Sequence, residues 1–283
     1  ASGNLKGFNL VGKPFVHNVT SYGSTNMAEG CFRLNEAKDN LLVSEVSETQ
    51  PLHPAEGFFV KATDVGASIT FNPGRSRGET ARKGFVNLEL RENGKLIDRL
   101  IVKREGEPLE KLSLKGNSTR LYAMQNKQEV AIVSCDDNEQ PVNFKATKNG
   151  SYMITASLDN MAVDFLHLID NLTGADIDLL VEPSYIFEAK ATDYDSRFKL
   201  VFSVSGDEND EDAPFAFINN GNIIIIGAED GATLQIVDVT GRILVSRMGD
   251  AMNRVSTNGM SPGVYVLRLI NGEEVKTQKI VVE

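Results

Sequence analysis

The stretch SPGVYVLRLINGEEVKTQKIVVE, residues 261–283, indicates the fold of the whole chain. From Gly263 onward apolar side chains recur with period two, and Asn271-Gly272 is the dipeptide that favours a type I′ turn between antiparallel strands. A second such run, Val275 to Val282, follows the turn. Because chain ends fray unless they are tied into a sheet, this stretch predicts a β-hairpin whose last strand is held by its neighbours.

The same period-two alternation extends through the rest of the sequence, and no helical stripe longer than about two turns interrupts it. In the clearest run, Tyr152, Ile154 and Ala156 share one face while the intervening side chains share the other. The many short runs are separated by turn signals such as NPG, ENG and KNG. The predicted fold class is all-β, built as tandem antiparallel β-sandwich modules.

Changes in composition divide the chain into modules. The segment SGDENDEDAP, residues 205–214, carries five acids and no apolar side chain larger than alanine, which predicts a solvated linker. A weaker boundary lies near REGEPLEK, residues 104–111. The prediction is a β-sandwich module over residues 1–105, a second over 106–205, an acidic linker over 206–214, and a small separate sandwich over 215–283.

Charge and length limit the partners of this 283-residue chain. Its net charge of −10 argues against nucleic acid, because a nucleic-acid interface needs a basic face. No apolar run approaches the roughly 18 residues of a membrane span. The first ten residues lack the charged and apolar regions of a signal peptide, so we expect a removed leader or a piece of a longer protein. Cys31 and Cys135 lie far apart, and Cys135 has the strand spacing of a small buried hydrophobe.

The sequence offers few groups for catalysis or metal binding. His17, His53 and His167 have neither metal-site nor triad spacing, and no Gly-x-Ser-x-Gly elbow or phosphate-binding glycine loop is present. We therefore expect no enzymatic activity, no cofactor and no metal.

Calcium is the one ion for which partial patterns exist. Asp207, Asn209 and Glu211 have the spacing of an EF-hand loop, but Asp212 and Ile218 stand where glycine and glutamate are needed. The loop pairs Asp176 with Asp178 and Asp193 with Asp195 could supply partial ligands, although solvated acids are the default interpretation.

Glycan binding through aromatic platforms is disfavoured because the chain has no tryptophan, while recognition through loops stays open. The basic cluster Arg75, Arg77, Arg82 and Lys83 fits an acidic glycan, a protease cleavage site, or simply a solvated loop.

The last 70 or so residues resemble the C-terminal sorting domain of the type IX secretion system, an immunoglobulin-like sandwich at the ends of exported Bacteroidetes proteins. The resemblance rests on NIIIIG, ATLQIVDVTGRILVS and residues 261–283, in that order. In the family, a strand ending in Asp (here Asp238) precedes a Gly-Arg turn, a Gly-x-Tyr opens the penultimate strand, and a lysine precedes a terminal apolar run. The resemblance thus implies a sorting signal at Gly241, Arg242, Gly263, Tyr265, Lys279, Ile280, Val281 and Val282.

Two upstream stretches extend the resemblance. GFNLVGKPF with HPAEGFFVKA is similar to a surface-protein module that reads Gly-Trp-Asn-Leu-Val-Gly-Asn-Pro, with Phe8 and Lys13 as departures. FLHLIDNLTGADIDLL, YIFEA and DSRFKLVF resemble the β-sandwich that commonly precedes the sorting domain.

Together these resemblances imply the non-catalytic C-terminal region of a secreted or cell-surface bacterial protein that passes through the periplasm. Its last domain would be recognised by the outer-membrane secretion machinery, and its other modules would be adhesin-like units or spacers whose glycan or host-protein ligand is unknown. The alternative is a carbohydrate- or protein-binding β-sandwich protein whose last domain is purely structural.

Overall fold

The structure is a computed structural model that describes residues 6–47, 49–71, 84–115, 117–135, 138–204, 215–219, 221–225, 231–248, 254–272 and 274–282. None of these residues is helical, which confirms the all-β class, and the same residues contain no helix that could span a membrane. The predicted linker 206–214, with the EF-hand-like acids, lies outside the described residues. So does the basic cluster of Arg75, Arg77, Arg82 and Lys83.

The described residues form 24 strands. They are β1 Phe8–Gly12, β2 Gly23–Thr25, β3 Cys31–Leu34, β4 Leu41–Ser44, β5 Gly57–Lys61, β6 Ser68–Thr70, β7 Phe85–Glu92, β8 Lys95–Lys103, β9 Leu109–Glu110, β10 Arg120–Gln125, β11 Gln128–Ser134, β12 Glu139–Lys145, β13 Gly150–Asp159, β14 Val163–Asp170, β15 Ala175–Asp178, β16 Ser184–Ala189, β17 Phe198–Val204, β18 Ala216–Asn219, β19 Asn222–Ile225, β20 Thr233–Asp238, β21 Ile243–Met248, β22 Arg254–Ser256, β23 Gly263–Asn271 and β24 Glu274–Val282.

The first six strands form an N-terminal unit of two small antiparallel sheets, β1-β5-β3-β4 and β2-β6. Phe58 is fully buried in this unit, with the rings of Tyr22 and Phe71 at 6.0 and 6.1 Å. Phe8 and Lys13, the two departures from the sequence pattern that this unit resembles, are both accommodated. Phe8 packs edge-on against Phe32, and the buried Lys13 donates its Nζ–H to the Phe15 carbonyl oxygen at 2.9 Å.

Residues 84–204 form a central sandwich from one continuous path of paired strands, in the order β15-β14-β17-β12-β10-β11-β8-β7-β13-β16, with β9 on β11. Side chains from distant points of this path meet in one core. The ring of Phe144 on β12 lies 5.2 Å from Tyr152 on β13 and 5.1 Å from Phe187 on β16, and Phe187 lies 4.9 Å from Phe198 on β17. The paired strands therefore fold over into two layers that face each other.

The predicted module boundary near residue 105 does not separate sheets. It falls between β8 and β9, yet β8 pairs in parallel with β11 through Ile101↔Ile132, and β7 pairs with β13. The side chains of β8 are buried on both faces, since Val102 enters the central core while Ile101 packs against the N-terminal unit. The sheets instead change between β6 and β7, and the polar stretch 104–111 lies within the central sandwich, where it includes the short strand β9.

Residues 215–282 form a C-terminal domain of two sheets, β18-β19-β22 and β21-β20-β23-β24, which enclose their own apolar core. The predicted terminal hairpin is confirmed, because β23 pairs with β24 from Gly263↔Val282 to Asn271↔Glu274. Gly272 has φ +61 in the turn, whereas Asn271 still pairs with Glu274 and has no positive φ, so Asn271-Gly272 does not occupy the two central positions of a type I′ turn as the dipeptide predicts.

The C-terminal domain is docked on the central sandwich by the outer face of its three-stranded sheet. Along β18 and β19, Ala216, Ile223 and Ile225 face the domain's own core, while Phe217 and Ile224 face the other way. Phe217 and Ile224 form a buried cluster with Phe165, Ile169 and Val201 of β14 and β17. We call these five residues the docking cluster.

Candidate functional site

The three motifs that the sequence singled out meet at one end of the four-stranded sheet. Strand β20 runs antiparallel to β23, and β23 antiparallel to β24, so the end of β20, the start of β23 and the end of β24 lie side by side. The register places Asp238 opposite Tyr265, and Tyr265 opposite Ile280. We call this region, residues 238–242, 263–265 and 279–282, the motif end.

The turn at the motif end is organised by the carboxylate of Asp238. Its Oδ1 accepts hydrogen bonds from the Thr240 hydroxyl at 2.6 Å, the Thr240 amide at 2.9 Å and the Arg242 amide at 3.0 Å, and its Oδ2 accepts one from Arg242 Nε at 3.0 Å. The Thr240 hydroxyl first, and then the other donors, lower the pKa of Asp238 to about 2. The carboxylate is therefore ionised at neutral pH and fixes the turn.

Gly241 and Arg242 have different roles in that turn. Gly241 has φ +86, a conformation that costs other residues strain, and its N–H donates to the Asp238 carbonyl at 2.9 Å. The Arg242 side chain is 75% exposed although it contacts Asp238. Gly241 thus shapes the turn, whereas Arg242 presents a cation to solvent.

Gly263 and Tyr265 open the penultimate strand. Tyr265 is buried, and its hydroxyl donates to the Ser261 carbonyl oxygen at 2.6 Å, so its ring and its polar tip are both satisfied inside the domain. A Cβ added at Gly263 would meet only the Ser261 carbonyl oxygen, at 4.0 Å. Tyr265 therefore ties the start of β23 to the preceding loop through Ser261, whereas the position of Gly263 has room for a side chain.

The terminal run divides between core and surface because successive residues of a strand point to opposite faces. Ile280 and Val282 are buried in the domain core, whereas Lys279 is exposed and Val281 is 56% exposed. Only two of the four residues in this run can therefore be contacted by another molecule while the domain is folded.

The exposed side of the motif end is an apolar surface with one lysine. Cross-strand pairing places Ile243, Val237, Val266 and Lys279 in one row and Val264 beside Val281 in the next. We call these six residues the terminal face. Val237, Ile243, Val264 and Val266 are not among the sequence-predicted residues, although the alternation along their strands carries the signal that would have found them.

Gln278 is a further residue that the sequence did not reveal. Its side-chain oxygen accepts hydrogen bonds from the amides of Phe215 and Ala216 at 2.7 and 2.8 Å, and its amide donates to the Ala216 carbonyl. These bonds join β18 to the terminal strand across 62 positions of sequence, a separation over which no local pattern indicates a partner.

The three histidines lie apart from the motif end. His17 stacks on Phe15, and the exposed His53 lies 3.3 Å from the Asn18 oxygen. His167 stacks on Phe165 at 4.1 Å, with its Nδ1 2.7 Å from Asp176 Oδ1, beside the docking cluster.

The loop acids that were weighed as calcium ligands make protein contacts. Asp178 accepts from the Leu180 amide, Asp193 from the Lys190 amide, and Asp195 from the Tyr122 hydroxyl. Among the described residues, no three His, Cys, Asp or Glu side chains cluster as a metal site would require.

Comparison with known proteins identifies the last domain. Residues 219–283 match a family model described as the secretion system C-terminal sorting domain. No curated protein and no solved structure matches the chain. The matched residues include every motif of the motif end, and a sorting signal of this type marks a secreted or cell-surface protein that interacts with secretion machinery. Residues 219–283 of this chain are therefore a type IX secretion sorting domain.

Proposed function

We propose that the secretion machinery reads the terminal face and the adjacent Arg242, with Arg242, Lys279 and Val281 as contact residues. The observation that carries this proposal is the division of the sequence-predicted signal between core and surface. Tyr265, Ile280 and Val282 are buried, and Gly241 sets a turn, so these four hold the shape of the motif end. Gly263 lies at the start of β23 beside this surface, where an added Cβ would meet no atom closer than 4.0 Å.

The placement of the domain supports the same surface. The outer face of its three-stranded sheet is covered by the docking cluster, whereas the terminal face lies on the opposite sheet and its Ile243 is 49% exposed. Clustered apolar side chains on a rigid sheet are typical of protein-interaction surfaces, and a lone lysine among them gives charge-based selectivity. The terminal face is therefore accessible to the secretion machinery while the domain is folded and docked.

The test uses the full chain in a host that has the machinery. The double variant Lys279→Ala/Val281→Ser removes two exposed side chains, so the free energy of unfolding should change by less than about 1 kcal/mol. We expect it to accumulate in the periplasm with an unchanged melting temperature. Lys276→Ala, on the same strand but outside the terminal face, is the matched control and should be exported normally.

Export of the double variant at the rate of the parent chain would contradict this assignment of contact residues. A fusion of residues 206–283 to a periplasmic reporter tests the signal as a whole. If the folded fusion stays in the periplasm while a proven sorting domain is exported in parallel, the sorting role itself is wrong.

We further propose that the chain is the non-catalytic C-terminal region of a Bacteroidetes surface or secreted protein, with residues 6–204 acting as adhesin-like or spacer modules. Its support is the β-sheet architecture of these modules and the sorting domain that follows them at residues 219–283. Turnover of any hydrolase substrate by the purified chain, abolished by a single substitution at His53 or His167, would argue against it. The immunoglobulin-like character of the seven-stranded last domain is part of this proposal.

The docking cluster favours a second candidate, in which the last domain is purely structural. Phe217 and Ile224 cover Phe165, Ile169 and Val201, which would otherwise be exposed apolar side chains of the central sandwich. The two candidate functions predict different export results. If the last domain is purely structural, every variant of the terminal face should fold and be exported normally.

A further inference from the structure

A cleft of about 960 Å³ lies between the N-terminal unit and the β7–β8 hairpin, and none of the described residues of the sorting domain lines it. It is bounded by the β3–β4 turn, the loop between β4 and β5, and the tip of β7–β8. Three separate chain segments thus converge on one concave surface. Its volume falls at the upper end of the roughly 300–1,000 Å³ that small-molecule sites occupy.

The polar side chains of the cleft are held in place by the protein. Arg33 forms a bidentate pair with Glu56, and its Nη2 donates to the Pro51 carbonyl at 3.0 Å. Arg99 donates through Nη1 to Gln50 Oε1 at 2.9 Å and through Nη2 to Glu89 Oε1 at 2.8 Å. Side chains fixed in this way lose little conformational entropy when a ligand binds.

Hydrogen-bonding capacity remains after these contacts are counted. In the described part of the chain the Gln50 amide nitrogen donates to no protein acceptor, and Lys95 and Glu36 form no ion pair. His53 is exposed at the rim. The cleft therefore offers donors and acceptors side by side.

The charge of the cleft is balanced. Its four cationic side chains, Arg33, Arg91, Arg99 and Lys95, face the carboxylates of Glu36, Asp39 and Glu56 in the lining and of Glu89 directly behind it. Burial alone would raise the pKa of Glu89, but hydrogen bonds from Arg99 and Arg91 lower it, so this carboxylate stays ionised. Each arginine of the lining is thus already paired with a carboxylate, so the cleft does not favour a strongly anionic ligand.

Aliphatic groups complete the lining. Leu34 is 48% exposed at the rim, and Leu96 and Ile97 are partly buried on the opposite wall. Planar polar side chains interspersed with a few aliphatic ones match the alternating hydroxyl and C–H groups of a sugar chain. They match a peptide less well, since a peptide needs a free strand edge or deep apolar pockets.

From this geometry we infer that the cleft is a binding site for a neutral oligosaccharide. Gln50 and the Arg33–Glu56 pair bond the sugar hydroxyls, and Leu34 packs against a C–H face. This role is separate from export and does not depend on the terminal face.

The test titrates the intact protein with cellotetraose, mannotetraose, xylotetraose and chitotetraose by calorimetry, with sialyllactose and a hexaglutamate peptide as anionic probes. We expect at least one neutral tetrasaccharide to bind, with an affinity that is insensitive to added salt. Gln50→Glu keeps the acceptor for Arg99 but removes the free amide donor, and should weaken binding about tenfold. Leu34→Ala should weaken it about threefold without changing the melting temperature.

Gln128→Glu, the same substitution at an exposed position outside the cleft, is the matched control and should leave the affinity unchanged. The inference is overturned if none of the four neutral probes binds, or if Gln50→Glu and Leu34→Ala both leave binding unchanged. Binding of only the anionic probes, lost as salt is added, would show an anion or acidic-peptide site instead.

Discussion

The substitution Phe217→Ala tests whether the sorting domain is stabilised by the module that precedes it. Phe217 is only 5% exposed, yet it points away from the core of its own domain. Its ring lies 5.4 Å from that of Phe165 and 6.3 Å from that of His167, both on β14 of the central sandwich. Its burial therefore depends on docking.

The expected magnitude follows from the cost of emptying a buried aromatic site. Truncation of a buried Phe to Ala costs about 3–5 kcal/mol. Because the docking cluster has only five members, we expect the lower end, about 3 kcal/mol, in the full chain. In an isolated fragment of residues 206–283 the same ring would face water, so the change there should be within about 0.5 kcal/mol.

Calorimetry and native-state hydrogen exchange of β18–β24 are the suitable measurements, since the chain has no tryptophan for fluorescence. The control is Ile223→Ala, which empties the domain's own core and should destabilise chain and fragment alike. A cycle with Phe165→Ala should show coupling of about 0.5–1.5 kcal/mol, the worth of an aromatic pair. Equal destabilisation of fragment and chain by Phe217→Ala, or strict additivity with Phe165→Ala, would refute docking as the source of stability.

Three further predictions concern other parts of the chain. Arg197→Met leaves the fully buried Asp170 without its bidentate partner, whose nearer contact is 2.7 Å, and should cost about 3–5 kcal/mol in urea unfolding. Burial alone would raise the pKa of Asp170, but hydrogen bonds from Arg197 hold it below its usual value. The ion pair therefore contributes its full stability above about pH 4, and this contribution is lost as the pH falls through the folded-state pKa of Asp170. Urea unfolding midpoints at acidic pH should show this loss of stability in the parent chain and not in Arg197→Met. Gly241→Ala places a side chain at φ +86 and should lower stability by about 1 kcal/mol, measured by the melting temperature. The thiols of Cys31 and Cys135 are both buried, and burial raises the pKa of Cys31 to about 12, so a thiol reagent should modify neither in the native protein and both in denaturant.

The sequence predicted the elements whose determinants are local. The terminal hairpin is encoded by its alternation and by the turn signal at Asn271-Gly272, and the structure contains it, with Asn271 as the last paired residue of β23 rather than a central turn residue. The predicted boundary near residue 105 rested on a polar segment, and it does not coincide with a change of sheet, because polar segments occur both between modules and within them. The parallel pairing of β8 with β11 joins residues about 30 positions apart, and no turn signal encodes it.

The sequence motifs named the residues of the candidate site but did not show which of their side chains point outward. The motifs indicated Lys279 to Val282 as a unit, whereas the strand pleat turns Ile280 and Val282 inward and leaves Lys279 and Val281 outside. The docking cluster and the cleft each combine segments that are far apart in the chain. Their composition is ordinary at each segment, so only the three-dimensional arrangement reveals them.

The Phe217 variant also separates docking from export. If the machinery reads the terminal face, Phe217→Ala should loosen the domain from the central sandwich and still be exported, because the terminal face lies on the opposite sheet and Lys279 and Val281 are unchanged. If export instead requires the two domains as one rigid unit, this variant should be retained while Lys279→Ala/Val281→Ser is exported. Measuring both variants in the same host, beside the parent chain and Lys276→Ala, gives opposite results for the two mechanisms. Retention of Phe217→Ala with full export of Lys279→Ala/Val281→Ser would therefore move the signal from the terminal face to the docked interface.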